Sequence, residues 1–166
     1  MGFFGRRPVG PSSPEFGRKL EGELKYEKGK TSEAIKLVNF TRNIVKTIEK
    51  SMKEGNYKGM TISLDRTFHA VTKLRDDAVR IHNVAVVLSK QMPEKMTQDE
   101  LNFATSFSTK TTMALNTVSA VQMMRGDASS ELNKLAEELN EMERLVAQLM
   151  RIEDKLGIEF HKFQHV

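Results

Sequence analysis

The chain has 166 residues, with 26 Lys and Arg against 22 Asp and Glu, and contains neither cysteine nor tryptophan. That length suffices for one domain with an ordinary core. Lack of cysteine excludes disulfides, thiolate zinc sites and cysteine nucleophiles. No apolar run approaches the roughly 20 residues a bilayer span needs, and no apolar signal core follows Met1, so the expectation is an intracellular chain, soluble when made. Charge is uneven along the chain: 13 Lys and Arg face 7 Asp and Glu up to Met60, whereas 6 face 9 from Thr111 onward. A basic first third points to an anionic partner, and an acidic last third allows self-association.

Residues 1–30 hold three of the four prolines and six of the ten glycines, a composition that predicts an arm without a packed fold. At its tip Phe3 and Phe4 precede Arg6 and Arg7. This apolar wedge beside two cations predicts insertion into an anionic membrane surface. Gly2 opens no myristoylation signal, because Arg6 stands where Ser or Thr is expected. Gly29-Lys30-Thr31 ends like a phosphate-binding loop, but Leu24 replaces the required glycine and no strand precedes it.

Over 31–92 the apolar pattern predicts a long antiparallel hairpin. Ala34, Val38, Thr41, Val45, Ile48 and Met52 recur at alternating four and three spacing, the a/d stripe of a helix. Gly55 and Asn56 suit its left-handed stop. A second stripe runs through Met60, Leu64, Thr67, Val71, Leu74, Ala78, Ile81, Ala85, Leu88 and Met92; at about 1.5 Å per residue this arm spans roughly 50 Å. Two long helices joined by a few residues must lie side by side, because each stripe leaves water only against the other or against a later helix. Lys36, Asn39, Asn43, Lys46, Lys50 and Lys53 repeat at three and four spacing about 200° around the first helix from its apolar stripe. With Arg42 added to its lysines, this outward face is the candidate electrostatic contact for anionic lipid.

Pro93 ends the second arm, and Thr97-Gln98-Asp99-Glu100 reads as a capping box opening a third helix over 97–125. Thr105, Ser106, Ser108, Thr109, Thr111 and Thr112 weaken its middle and make it a candidate hinge. Gly126 breaks it, Asp127 caps a fourth helix over 127–156 with Leu132, Leu135, Leu139, Met142, Val146 and Leu149 on one face, and 157–166 reads as a tail. Arg125-Gly126-Asp127 is a helix break with a capping acid. His161 and His165 lack a third metal ligand, and His69, four residues after Asp65, reads as a surface hydrogen bond. With no nucleophile and base pair, no Glu-x-x-His pair and no cofactor loop, the chain reads as a non-enzyme without cofactor or metal. The fold class is all-α: a long helical hairpin with helices 3 and 4, either extended in a filament or folded back as a bundle.

The opening Met1-Gly2-Phe3-Phe4-Gly5-Arg6-Arg7-Pro8, the stretch "IEKSMKEGN" at the hairpin turn and "HAVTKLRDDAVRIHNVAVVLSKQ" in the following arm resemble the ESCRT-III family of charged multivesicular body proteins. The resemblance covers about two thirds of the chain. It implies a cytoplasmic, peripheral membrane subunit, endosomal or at a division site, which polymerises on anionic membranes with copies of itself or related subunits, remodels or severs them, and is dismantled by an AAA ATPase. Members commonly end in an Arg-Leu motif flanked by spaced leucines; here Leu149 follows Arg144-Leu145 one residue out of step and Glu141 stands where a leucine belongs. A rod with unbroken stripes on both arms offers more apolar edge than its partner arm covers, so Leu64, Val71, Leu74, Ile81, Leu88, Leu135, Leu139 and Met142 are the candidate self-assembly residues. Two other classes remain: a helical nucleic-acid coat protein, disfavoured because the basic face lacks aromatics for stacking, and a helical-bundle adaptor.

Overall fold

The computed structural model describes residues 14–163. Among them are four α-helices and no strand: α1 Pro14–Lys53, α2 Tyr57–Gln91, α3 Lys95–Met123 and α4 Ser129–Phe163. Phe3, Phe4, Arg6 and Arg7 lie outside the described residues. Each helix packs against two others, α1 and α3 both lying between α2 and α4. With short turns between consecutive helices, this is an up-and-down four-helix arrangement around one core.

α1 takes in much of the stretch expected as an unpacked arm. Phe16, Leu20 and Leu24 are buried there, in one cluster with Val84, Leu88 and Met92 of α2 and Ile152, Leu156 and Phe160 of α4. Pro14 fits the first helical position, where its missing N–H has no intrahelical partner to lose. Gly17, Gly22 and Gly29 each cost the helix about 1 kcal/mol relative to Ala, less than burying one large apolar side chain returns. At the other end α4 continues through Gly157, expected as its stop, to Phe163. A Cβ at Gly157 would sit 3.6 Å from Leu24 Cδ2, so this glycine lies where α4 passes α1.

The turns follow from local chemistry. Gly55 has φ of +70°, Asn56 N–H donates to Ser51 C=O at 2.8 Å and Gly55 N–H to Met52 C=O at 3.2 Å; together these form a Schellman stop. Asn56 then caps α2, its Oδ1 accepting from Gly59 N–H at 3.0 Å. α3 starts ahead of the expected Thr97: Glu94 is its N-cap, and Glu94 N–H donates to Thr97 Oγ1 at 3.2 Å. Asp127 Oδ1 accepts from Ser129 N–H at 2.9 Å at the start of α4, as its capping role required.

Every residue of the α4 stripe is buried, as are those of the two hairpin stripes except Met52 and Met60; on α3 the face Ala104, Phe107, Thr111, Val118 and Val121 is buried, with Leu101 and Leu115 half-buried at its edge. The Ser/Thr-rich middle of α3 is continuous helix. Thr105, Thr109 and Thr112 return their hydroxyls to the carbonyls of Leu101, Thr105 and Ser108, so the competing donors are absorbed within the helix.

Candidate functional site

The outward face of α1 carries Lys36, Asn39, Asn43, Lys46, Lys50 and Lys53, all exposed. They are exposed because they stand opposite the stripe that α1 buries against α2 and α4. Among the described residues, none of these four lysines has an ion-pair partner. Toward the α1–α2 turn, Lys46, Lys50 and Lys53 line a shallow hollow with Glu49 and Glu54. Phe40, four residues after Lys36, flanks the row, and the Arg66 guanidinium lies 5.6 Å from its ring centroid. An exposed aromatic beside the basic face was not expected; it follows from position 40 lying one helical turn from Lys36.

Arg42 does not belong with these cations. Its Nη1 and Nη2 donate to Glu143 Oε2 and Oε1 at 3.2 and 3.1 Å, and its side chain is 26% exposed. It is a bidentate clamp between α1 and α4, with its charge already matched. The eight candidate self-assembly residues are core: Leu64, Val71, Leu74, Ile81, Leu88, Leu135, Leu139 and Met142 are all buried. Leu145 and Leu149 are buried too, and Arg144 pairs with Glu141.

A second constellation went unnoticed in the sequence. Glu27 of α1, Glu100 of α3 and Glu153 of α4 are 0, 0 and 1% exposed, and their carboxyls face one another. They form a layer that divides the core. On one side lie Ala34, Ala85, Ala104 and Leu149; on the other, Leu24, Val84, Ile152 and Leu156, with Met96 against them, while Phe103 packs against both sides. Thr31 Oγ1 donates to Glu153 Oε2 at 2.6 Å. Both carboxyl oxygens of Glu27 and both of Glu100 are buried without a donor, so only a proton held on one carboxyl can join them to their neighbours. Burial, then the neighbouring carboxyls, push Glu27 well above the usual carboxylate range. Burial lifts Glu153 to about 7 against the help of the Thr31 hydroxyl, and it lifts Glu100 as well.

Two further buried acids lie outside this layer. Asp77 of α2 is lifted to about 7 by burial and by Glu33 beside it, with Lys30 opposing. Burial also lifts Glu138 of α4, opposed by Thr117, Lys134 and Lys110. The signal for the layer was present in the stripe spacing. Counted back from Ala34, the four and three rhythm passes through Thr31, Glu27, Leu24 and Leu20; counted on from Leu149 it passes through Glu153, Leu156 and Phe160.

Among the described residues no group of three or more His, Cys, Asp or Glu is placed to hold a metal ion, and no helix is long and apolar enough to cross a membrane. The sequence matches no family model and no curated protein.

Proposed function

We propose that this chain is a filament subunit that binds anionic membranes, held in the present structure as a closed bundle and opened for assembly. One observation carries the reading: a row of exposed lysines on one face of α1, without ion-pair partners among the described residues and with few acids beside it. Such cations keep their full attraction for a negatively charged surface, about 1 kcal/mol each near anionic lipid. In the closed form the apolar stripes cover one another. Parting α3 and α4 from the hairpin would free Leu64, Val71, Leu74, Ile81 and Leu88 for a neighbouring copy, a switch between two packings of the same helices. Leu145 and Leu149, the leucines beside Arg144, would become accessible to a disassembling ATPase only in that open form. The resemblance to ESCRT-III subunits in the hairpin and the N-terminal segment points the same way.

The test is flotation with vesicles containing phosphatidylserine. Lys46→Glu/Lys50→Glu/Lys53→Glu leaves every buried position intact, so helicity should survive while binding falls on the order of a hundredfold, from roughly 3 kcal/mol of lost attraction. Binding by the parent should weaken steeply with salt. Unchanged flotation of the triple variant would reduce the row to a solvated face, and a parent that prefers nucleic acid to vesicles at equal salt would make the lysines a phosphate-backbone contact.

A further inference from the structure

We propose that the Glu27–Glu100–Glu153 layer is a proton-dependent latch, which holds α1, α3 and α4 together while its carboxyls are protonated and loosens them when they ionise. The layer takes one carboxyl from each of three helices, so charge appearing in it acts directly on the α1–α4 and α3–α4 contacts. All three carboxyls are out of water, and four of their oxygens have no donor. Ionised together they would be three like charges in an apolar core, which neither solvent nor a buried cation relieves.

Of the charges around the layer, the Lys28 ammonium reaches Glu153 and opposes its lift, but only in part. On α1, Lys28 lies on the outer side, is about half exposed and already pairs with Asp154 of α4 at 3.2 Å; Lys30 and Glu23 are partly exposed. On α3, Asp99 pairs with Lys95 at 3.0 Å. On α4, Arg151 and Lys155 are exposed. α2 meets this level of the core with Val84, Ala85 and Leu88, while its Arg80 bonds the Tyr26 hydroxyl at 3.3 Å and its His82 is partly exposed. The donor within the layer is the Thr31 hydroxyl, whose one proton is placed for Glu153 Oε2 at 2.6 Å and for the Glu27 backbone carbonyl at 3.0 Å, and it reaches no carboxyl oxygen of Glu27 or Glu100.

The direction of the response follows from linkage. A carboxyl whose folded pKa lies above its unfolded value binds its proton more tightly when folded. Its contribution to stability is therefore complete below the unfolded range near 4.5 and is lost as pH rises through the folded value, about 7 for Glu153. For Glu153 alone this lowers the folding equilibrium constant on the order of a hundredfold between those limits. Acid closes the bundle and neutral to alkaline pH loosens it. The consequence for filament assembly rests on the reading above, whereas the latch itself is a property of the protein in solution.

Urea denaturation of the full chain from pH 5 to pH 8, followed by circular dichroism without any membrane, tests it. The parent's midpoint should fall as pH rises. Glu27→Gln/Glu100→Gln/Glu153→Gln replaces each carboxyl by a neutral group of the same shape; its midpoint should fall much less, and at pH 8 it should resist urea better than the parent. If the triple variant does not fold, Glu153→Gln alone should show the smaller slope. Asp77→Asn/Glu138→Gln removes the two acids outside the layer and with them their own share of the slope, Asp77 being lifted to about 7 as well; a clear fall from pH 5 to pH 8 should remain in that variant and be lost when the layer substitutions are added to it. A parent midpoint that does not change from pH 5 to pH 8, or a Gln variant with the parent's slope, would overturn the latch. Stabilisation of the parent but not of the triple variant by Mg2+ or Mn2+ at pH 8 would also overturn it and make the layer a cation site.

Discussion

Leu20→Ala asks whether the first turns of α1 belong to the core or merely lie beside it. Leu20 is 0% exposed and shares a cluster with Phe16, Leu88, Leu156 and Phe160, so truncation removes three carbons from a site closed by two other helices. Transfer of those carbons accounts for roughly 2 kcal/mol. The void left between long, mutually supported helices collapses poorly and raises the loss to about 3–4 kcal/mol. Against a total stability of about 5–15 kcal/mol, this is a large shift in the urea midpoint with little change in slope. Phe40→Ala, at a residue 45% exposed, should lose less than about 1 kcal/mol as a control. A loss at Leu20 below about 1 kcal/mol would mean that α1 does not pack along its N-terminal part, and the apolar cluster on that side of the carboxyl layer would fail with it.

Arg42→Ala and Glu143→Ala should each destabilise modestly, and their double-mutant cycle should yield a coupling of about 0.5–1 kcal/mol, since the bidentate pair is partly open to solvent; zero coupling would remove the clamp from the account. Gly55→Ala should cost about 1 kcal/mol in thermal or urea denaturation, because an added Cβ meets nothing within 4 Å and the whole penalty comes from φ of +70°. Gly126→Ala, likewise with nothing within 4 Å and without a positive φ, should be close to neutral; equal losses at the two glycines would contradict the turn geometry.

Helix class, the two hairpin stripes, the Gly55-Asn56 turn and the Asp127 cap were legible because each rests on chemistry within a few residues. The ends of α1 and α4 were not. Glycines and prolines suggested an arm before residue 31 and a stop at Gly157, yet the stripes through Phe16, Leu20 and Leu24 and through Leu156 and Phe160 bury enough area to override those preferences. The basic row was legible from spacing alone; that Arg42 leaves it for Glu143 depends on α4 lying beside α1, a tertiary fact. The carboxyl layer was hidden by an assumption about polarity. Glu27, Glu100 and Glu153 occupy seam positions, and a seam read for apolar residues stops at each of them; Glu100 was spent on a cap that begins instead at Glu94.

The central claim is that the bundle opens on the membrane, and a distance across it measures this directly. The chain has no cysteine, so cysteines placed at the exposed positions Arg75 of α2 and Lys134 of α4 carry the only two spin labels. In solution the pair should give one narrow distance distribution, spanning helices that do not pack on each other. Bound to phosphatidylserine vesicles, it should shift to longer, broader distances as α4 leaves the hairpin. An unchanged narrow distribution on protein shown to be vesicle-bound would contradict the account and leave a bundle that binds membranes without opening.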